Sequence, residues 1–62
     1  MYFDKIKELC DQKGISIFRL EKEAKIGNGT IDDYKTGSIP RITTLEKIAK
    51  YFDVPVSYFL EE

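Results

Sequence analysis

The sequence predicts an all-α fold, a compact domain of five short helices, and three observations indicate it. Apolar residues recur three and four positions apart in successive segments, which places them on one face of each helix. Glycine, serine and proline stand between these segments, as is typical of helix starts and ends. No segment alternates apolar and polar residues like a half-buried strand. A length of 62 residues fits one domain, so we expect residues 1–62 to fold as a unit.

The first two predicted helices have clear boundary signals. The first covers about Tyr2–Gln12, and Gly14 just beyond it suits a helix end. Ser16 is a strong N-cap for the second helix, which ends near Ala24.

The third predicted helix is short, from Gly27 or Asn28 to Thr36 or Gly37. A hydrophobic staple is expected at the start of both the second and the third helix, because an apolar pair five residues apart flanks each start. These pairs are Ile15 with Leu20, and Ile26 with Ile31.

Two more helices complete the prediction. Pro40 ends a loop, and the fourth helix runs from about Ile42 to Phe52 with a regular apolar face. Pro55 fits the first turn of a fifth helix.

The composition argues against an enzyme. With a single cysteine, Cys10, and no histidine, the chain has no internal disulfide, no Cys/His zinc site and no Ser-His or Cys-His pair. Cys10 lies on the apolar stripe of the first helix, where a core thiol is expected. We therefore expect no catalytic activity, no cofactor, no metal and no small-molecule ligand.

Hydropathy and charge give weaker information. No apolar run approaches the roughly 20 residues of a membrane span, and the N-terminus does not resemble a signal peptide. We therefore expect a cytoplasmic protein without a membrane partner. The net charge of −1 does not indicate nucleic-acid binding, although residues 13–41 carry a net +2. An ordinary mixed surface would explain that distribution equally well.

The segment Ile15–Gly37 has the plan of a helix-turn-helix, a unit of about residues 16–36. Its second helix, about residues 28–36, would enter the DNA major groove. If Ile31 points into the core, a rotation of 100° per residue places Gly29 and Asp33 on the opposite face and turns Tyr34 back towards the core.

Twelve residues in register resemble the Cro and phage-repressor type of helix-turn-helix, over nearly the whole chain. They are Ser16, Leu20, Ala24, Ile26, Ile31, Gly37, Pro40, Leu45, Ile48, Ala49, Val54 and Leu60. The resemblance implies a five-helix, lambda-repressor-like DNA-binding domain of a small bacterial or phage transcriptional regulator.

Five positions depart from the residues usual in that family. The family usually has Ala at the position of Glu21 and Gly at the position of Lys25. It often has Gln in place of Ile17, Glu in place of Lys35, and a capping Ser in place of Arg41. We interpret these departures as family drift.

Four residues are candidate base readers. Asn28 can bond adenine through both amide atoms, the alternative being that it only caps the helix. Gly29 would let the backbone approach a base pair, or it is merely tolerated at a helix start. Thr30 can contact a thymine methyl or a phosphate. Asp33 can accept from cytosine, although it, like Asp32, can equally be a solvated charge that weakens binding to random DNA.

The candidate phosphate contacts are Ser16, together with the amides at the start of its helix, and Lys25, Lys35, Ser38 and Arg41. Each lysine alone can also be an ordinary surface charge. Arg41 is the strongest candidate, because a guanidinium binds phosphate through two donors.

The leading functional hypothesis is a sequence-specific repressor that binds a palindromic double-stranded DNA operator as a homodimer. The candidate dimer surface is on the fifth helix: Val56, Tyr58, Phe59 and Leu60. Phe59 and Leu60 can instead close the core of the monomer. The alternative function is a protein-interaction module of helix-turn-helix ancestry, antitoxin-like or anti-repressor-binding, that offers the acidic pair Asp32 and Asp33 to a basic partner.

Overall fold

The computed structural model describes residues 2–60, and they form four α-helices and one 3-10 helix. The all-α prediction is confirmed, but the third of the five expected helices is not an α-helix. The elements are α1 (Tyr2–Lys13), α2 (Ile17–Glu23), the 3-10 helix (Asp32–Thr36), α3 (Ile42–Phe52) and α4 (Ser57–Leu60). No helix within residues 2–60 is long and apolar enough to cross a membrane.

The start of α2 is fixed as the sequence predicts. Ser16 is its N-cap, and the Ser16 hydroxyl accepts a hydrogen bond from the Arg19 amide at 3.0 Å. Because this bond gives a partner to an amide that the first turn of a helix leaves free, the cap stabilises the helix start.

All three long α-helices end in the same way. A residue with a left-handed backbone follows each helix end: Gly14 (φ +74°), Lys25 (φ +60°) and Asp53 (φ +58°). The amide of the next residue, which is apolar, then donates to the carbonyl five positions back. These bonds are Ile15 to Cys10 (3.0 Å), Ile26 to Glu21 (2.8 Å) and Val54 to Ala49 (2.9 Å). This is the Schellman arrangement, which gives partners to free carbonyls and turns an apolar side chain back to the core.

The core lies between the helices and is closed by α4. Ile6, Cys10, Leu20, Ile31, Leu45 and Ile48 are the largest fully buried side chains. Tyr34 is also buried, so the predicted inward orientation of Ile31 and Tyr34 is confirmed. Burial raises the pKa of the Tyr34 phenol, and a hydrogen bond with the Thr44 side chain opposes that rise.

The prediction of a helix over residues 28–36 is wrong for its first four residues. Residues 28–31 form a turn, and only Asp32–Thr36 is helical, with 3-10 geometry. Gly29 has φ +86°, which is incompatible with a right-handed helix. The N-cap position is occupied by Ile31, so Asn28 is not a cap and the second staple does not flank a helix start.

Candidate nucleic-acid interface

A tight turn connects α2 to the 3-10 helix and carries three of the candidate base readers. The Thr30 amide donates to the Gly27 carbonyl at 3.1 Å, which closes the turn. A Cβ on Gly27 would lie 3.0 Å from the Thr30 hydroxyl oxygen, so the missing side chain makes room for Thr30. Gly29 supplies the positive φ in the middle, a conformation that costs other residues more.

The turn is attached to α2 by the carboxylate of Glu21, which is only 4% exposed. One carboxylate oxygen accepts from the Gly29 amide at 3.1 Å, and the other accepts from the Ile31 amide at 2.9 Å. The Glu21 side chain therefore contacts the turn through both carboxylate oxygens, a contact that the interpretation of this position as family drift did not anticipate. Two signals were present in the sequence: the departure from Ala, and a carboxylate beside the buried Leu20 on α2.

The base-reading candidates differ in exposure. Asn28 and Asp33 are exposed, whereas Gly29 and Thr30 are half-buried. Asn28 shares the wall of an open surface cavity of about 230 Å³ with Phe18 and Lys22 of α2. The helix-start explanation of Gly29 is wrong, because Gly29 lies in the turn and its positive φ accounts for the glycine.

The phosphate candidates differ in their surroundings. Ser16, Ser38 and Arg41 are exposed, and Arg41 stands at the N-cap position of α3 without a side-chain cap bond. The Lys35 ammonium lies 5.0 Å from the centre of the Phe3 ring of α1, a cation–π contact that directs it towards α1.

Lys25 lies in a second open cavity, of about 290 Å³, that it shares with Lys47 and Lys50 of α3. The Lys47 ammonium reaches the Lys25 carbonyl at 3.4 Å. Lys47 and Lys50 were not among the expected phosphate contacts. Lys47 and Lys50 are three residues apart, so both lie on one face of α3. The sequence does not show that this face lies beside Lys25, because that depends on the tertiary packing.

The dimer candidates divide between the core and the surface, and Val56 lies just before α4, which begins at Ser57, and not on the helix as predicted. Phe59 is 3% exposed and belongs to the core, so it closes the monomer. Tyr58 is half-buried, its ring meets Phe59 edge to face at 5.3 Å, and its carbonyl accepts from the Lys5 ammonium at 3.0 Å. Leu60 is 54% exposed and Val56 is half-buried.

Comparison with known proteins supports the architecture. The family model described as helix-turn-helix, of the Cro/C1 type, matches residues 6–59. Comparison of the chain with curated proteins and with solved structures gave no significant match. The match extends from α1 to α4, well over half of the chain, and includes the capped α2, the turn and the 3-10 helix. The chain therefore belongs to the Cro/C1-type helix-turn-helix family of small DNA-binding regulators.

Proposed function

We propose that this protein is a sequence-specific transcriptional repressor that binds a palindromic operator as a homodimer. The observation that carries this proposal is the exposed side chain of Asn28 on the turn held against α2. An asparagine amide can both donate to and accept from adenine in the major groove, whereas contacts to phosphate carry no sequence information directly.

The surrounding residues support the same orientation. Thr30 follows Asn28 on the turn, and Asp33 lies exposed one residue into the 3-10 helix. Ser16 at the start of α2, and Ser38 with Arg41 in the loop before α3, are exposed candidates for phosphate contacts on either side in the chain. In this arrangement Asn28, Thr30 and Asp33 face the major groove.

Dimerisation is part of the proposal because one copy of so small a domain reads few base pairs. A two-fold symmetric dimer on a palindrome doubles the contacts and fixes the spacing of the half-sites. Leu60 is the strongest candidate for the contact between copies, with Val56 and Tyr58 beside it, since Phe59 is occupied in the core.

Selection from random duplex DNA at two salt concentrations tests the proposal. We expect an enriched palindrome, and binding that weakens steeply with salt because phosphate contacts release counterions. Sedimentation with the selected DNA should give two protein copies per duplex. No enriched sequence and no salt-sensitive binding by the folded protein would contradict DNA recognition.

The Asn28→Ala variant distinguishes recognition of the base sequence from non-specific binding to DNA. We expect it to weaken binding to the selected site by about 1–3 kcal/mol and to leave binding to random DNA nearly unchanged. Gln12→Ala, which removes an exposed amide from the end of α1, is the matched control and should change neither. An equal loss on both kinds of DNA would remove Asn28 from base reading.

A second candidate function is a protein-interaction module, favoured by the exposed carboxylates of Asp32 and Asp33 on the element that would approach DNA. Carboxylates there repel phosphates and would suit a basic protein. This candidate replaces the first if the folded protein selects no DNA sequence.

A further inference from the structure

Glu21 presents a buried carboxylate to backbone amides and not to a cation. Within residues 2–60 the ion pairs are Lys7 with Asp11 and Arg19 with Glu23, and neither involves Glu21. A carboxylate that is removed from water needs strong hydrogen bonds, and both of its oxygens have one here. The side chain is therefore held firmly at both oxygens.

The two donors form a small anion-binding concavity. They come from Gly29 and Ile31, two residues apart, with the left-handed Gly29 at the first position. Backbone amides that converge in such a conformation bind anions. In this protein the anion is supplied by the neighbouring helix α2, so the conformation of the turn depends on a side chain outside it.

These two bonds fix the peptide planes that orient the candidate base readers. The Gly29 amide belongs to the peptide that joins Asn28 to Gly29, and the Ile31 amide belongs to the peptide that joins Thr30 to Ile31. Because a peptide unit is planar, fixing its N–H direction restricts the backbone rotation of the residue before it. The Glu21 carboxylate thus restricts the backbone at Asn28 and at Thr30.

We infer that Glu21 is a positioning residue for sequence reading, an inference that rests on the proposed function. Its carboxylate holds the turn in the conformation that presents Asn28 and Thr30 to the bases, and Glu21 itself need not touch DNA. Loss of the carboxylate would allow the turn several conformations. Binding to the correct site would weaken because those conformations must be restricted again, whereas general attachment to phosphates depends on other residues.

Glu21→Gln tests the inference, with Glu23→Gln as the matched control. Gln has the shape of Glu but offers one acceptor oxygen in place of two, so one amide loses its partner. Glu23 lies on the same helix and is exposed, and its carboxylate binds Arg19 and Tyr51 and not the turn. Each variant is measured on the selected operator and on a scrambled duplex, and the amide resonances of Gly29 and Ile31 are recorded by NMR without DNA.

For Glu21→Gln we expect the ratio of operator affinity to scrambled-DNA affinity to fall by about tenfold, with the scrambled-DNA affinity within about threefold of wild type. The Gly29 and Ile31 resonances should move, and Glu23→Gln should change neither the ratio nor those resonances. Because a purely structural role would lower thermal stability without changing the ratio, the ratio is the decisive measurement.

A folded Glu21→Gln protein with the wild-type ratio would overturn the inference while the proposed function stands. A wild-type protein with no sequence preference would overturn the proposed function and the inference with it. If Glu21→Gln does not fold, Glu21→Asp replaces it, because Asp keeps the charge but is one methylene too short to keep both bonds. A reduced ratio in Glu21→Asp supports the inference, and an unchanged ratio refutes it.

Discussion

Lys25 has a backbone conformation that suits glycine, because a Cβ crowds the following carbonyl in the left-handed region. The Schellman end of α2 requires this conformation, since only a reversal at residue 25 brings the Ile26 amide to the Glu21 carbonyl. Ala24 and Ile26, on either side of Lys25, are half-buried against the core, and this burial opposes the strain at Lys25.

We predict that Lys25→Gly stabilises the protein by about 0.5–1 kcal/mol relative to Lys25→Ala. Both variants remove the lysine side chain and its charge, so the difference between them isolates the backbone strain. Thermal or denaturant unfolding of the two variants measures it. If alanine is as stable as glycine at this position, the left-handed conformation is not strained.

Residues whose partners are close in the chain could be predicted from the sequence. The Ser16 cap has its partner three residues away, and the inward orientation of Ile31 and Tyr34 follows from helical spacing. Glu21 could not be placed in this way, because its partners are eight and ten residues further along the chain. Its role depends on the angle between α2 and the turn.

The conformation of residues 28–36 was also not predicted correctly from the sequence. An α-helix over residues 28–36 satisfies the apolar spacing, but Gly29 has a positive φ, which a right-handed helix excludes. The Gly29 and Ile31 amides donate to the Glu21 carboxylate, and helical structure starts only at Asp32. The five remaining residues form a 3-10 helix, which ends at the left-handed Gly37.

Three helices meet on the surface around the Tyr51 ring of α3. The Glu23 carboxylate of α2 accepts hydrogen bonds from the Tyr51 hydroxyl and, at 2.8 Å, from the Arg19 guanidinium. The Lys13 ammonium of α1 lies 4.7 Å from the centre of the same ring. These contacts connect α1, α2 and α3 outside the apolar core.

The link through Glu23 predicts a pH-dependent contribution to stability. The hydrogen bond from Tyr51, followed by that from Arg19, lowers the pKa of Glu23 in the folded protein. Because folding lowers this pKa, the contribution is complete above the ordinary glutamate value of about 4.3 and disappears as the pH falls through the folded-state pKa.

We therefore expect Glu23→Gln to have a lower Tm than the wild-type protein at pH 7. This difference in Tm should disappear as the pH falls below about 4. Glu46→Gln, which changes an exposed glutamate of α3 outside this cluster, is the control. A Tm difference that stays constant from pH 7 to pH 3 would show that the charge on Glu23 contributes nothing.

At the scale of the whole molecule, one shared core joins every helix. Ile6 and Cys10 come from α1, Leu20 from α2, Ile48 from α3 and Phe59 from α4. Because each helix buries its apolar face against the others, no helix is expected to unfold alone without exposing part of this core. The single thiol in the centre can therefore report on unfolding of the entire domain.

We predict that Cys10 reacts with iodoacetamide only through global unfolding. The side chain is fully buried, and burial raises the pKa of the thiol, so both access and thiolate formation are suppressed in the folded state. Ile31→Ala, which should destabilise the core by about 2–5 kcal/mol, is expected to accelerate alkylation in the same proportion as it shifts the unfolding equilibrium. Rapid alkylation of the folded wild-type protein would contradict the prediction.

The Schellman ending shared by α1, α2 and α3 restricts the positions at which residues can be inserted or deleted. Adding one residue to α1, α2 or α3 would rotate the following apolar residue by about 100°, away from the core it now meets. The loop between the 3-10 helix and α3 is different. Ser38 and Ile39, which follow the left-handed Gly37, are exposed in this loop. Insertions should therefore be tolerated between Ser38 and Ile39. Such an insertion would alter the reach of the loop that carries Arg41 while leaving the Asn28 turn in place.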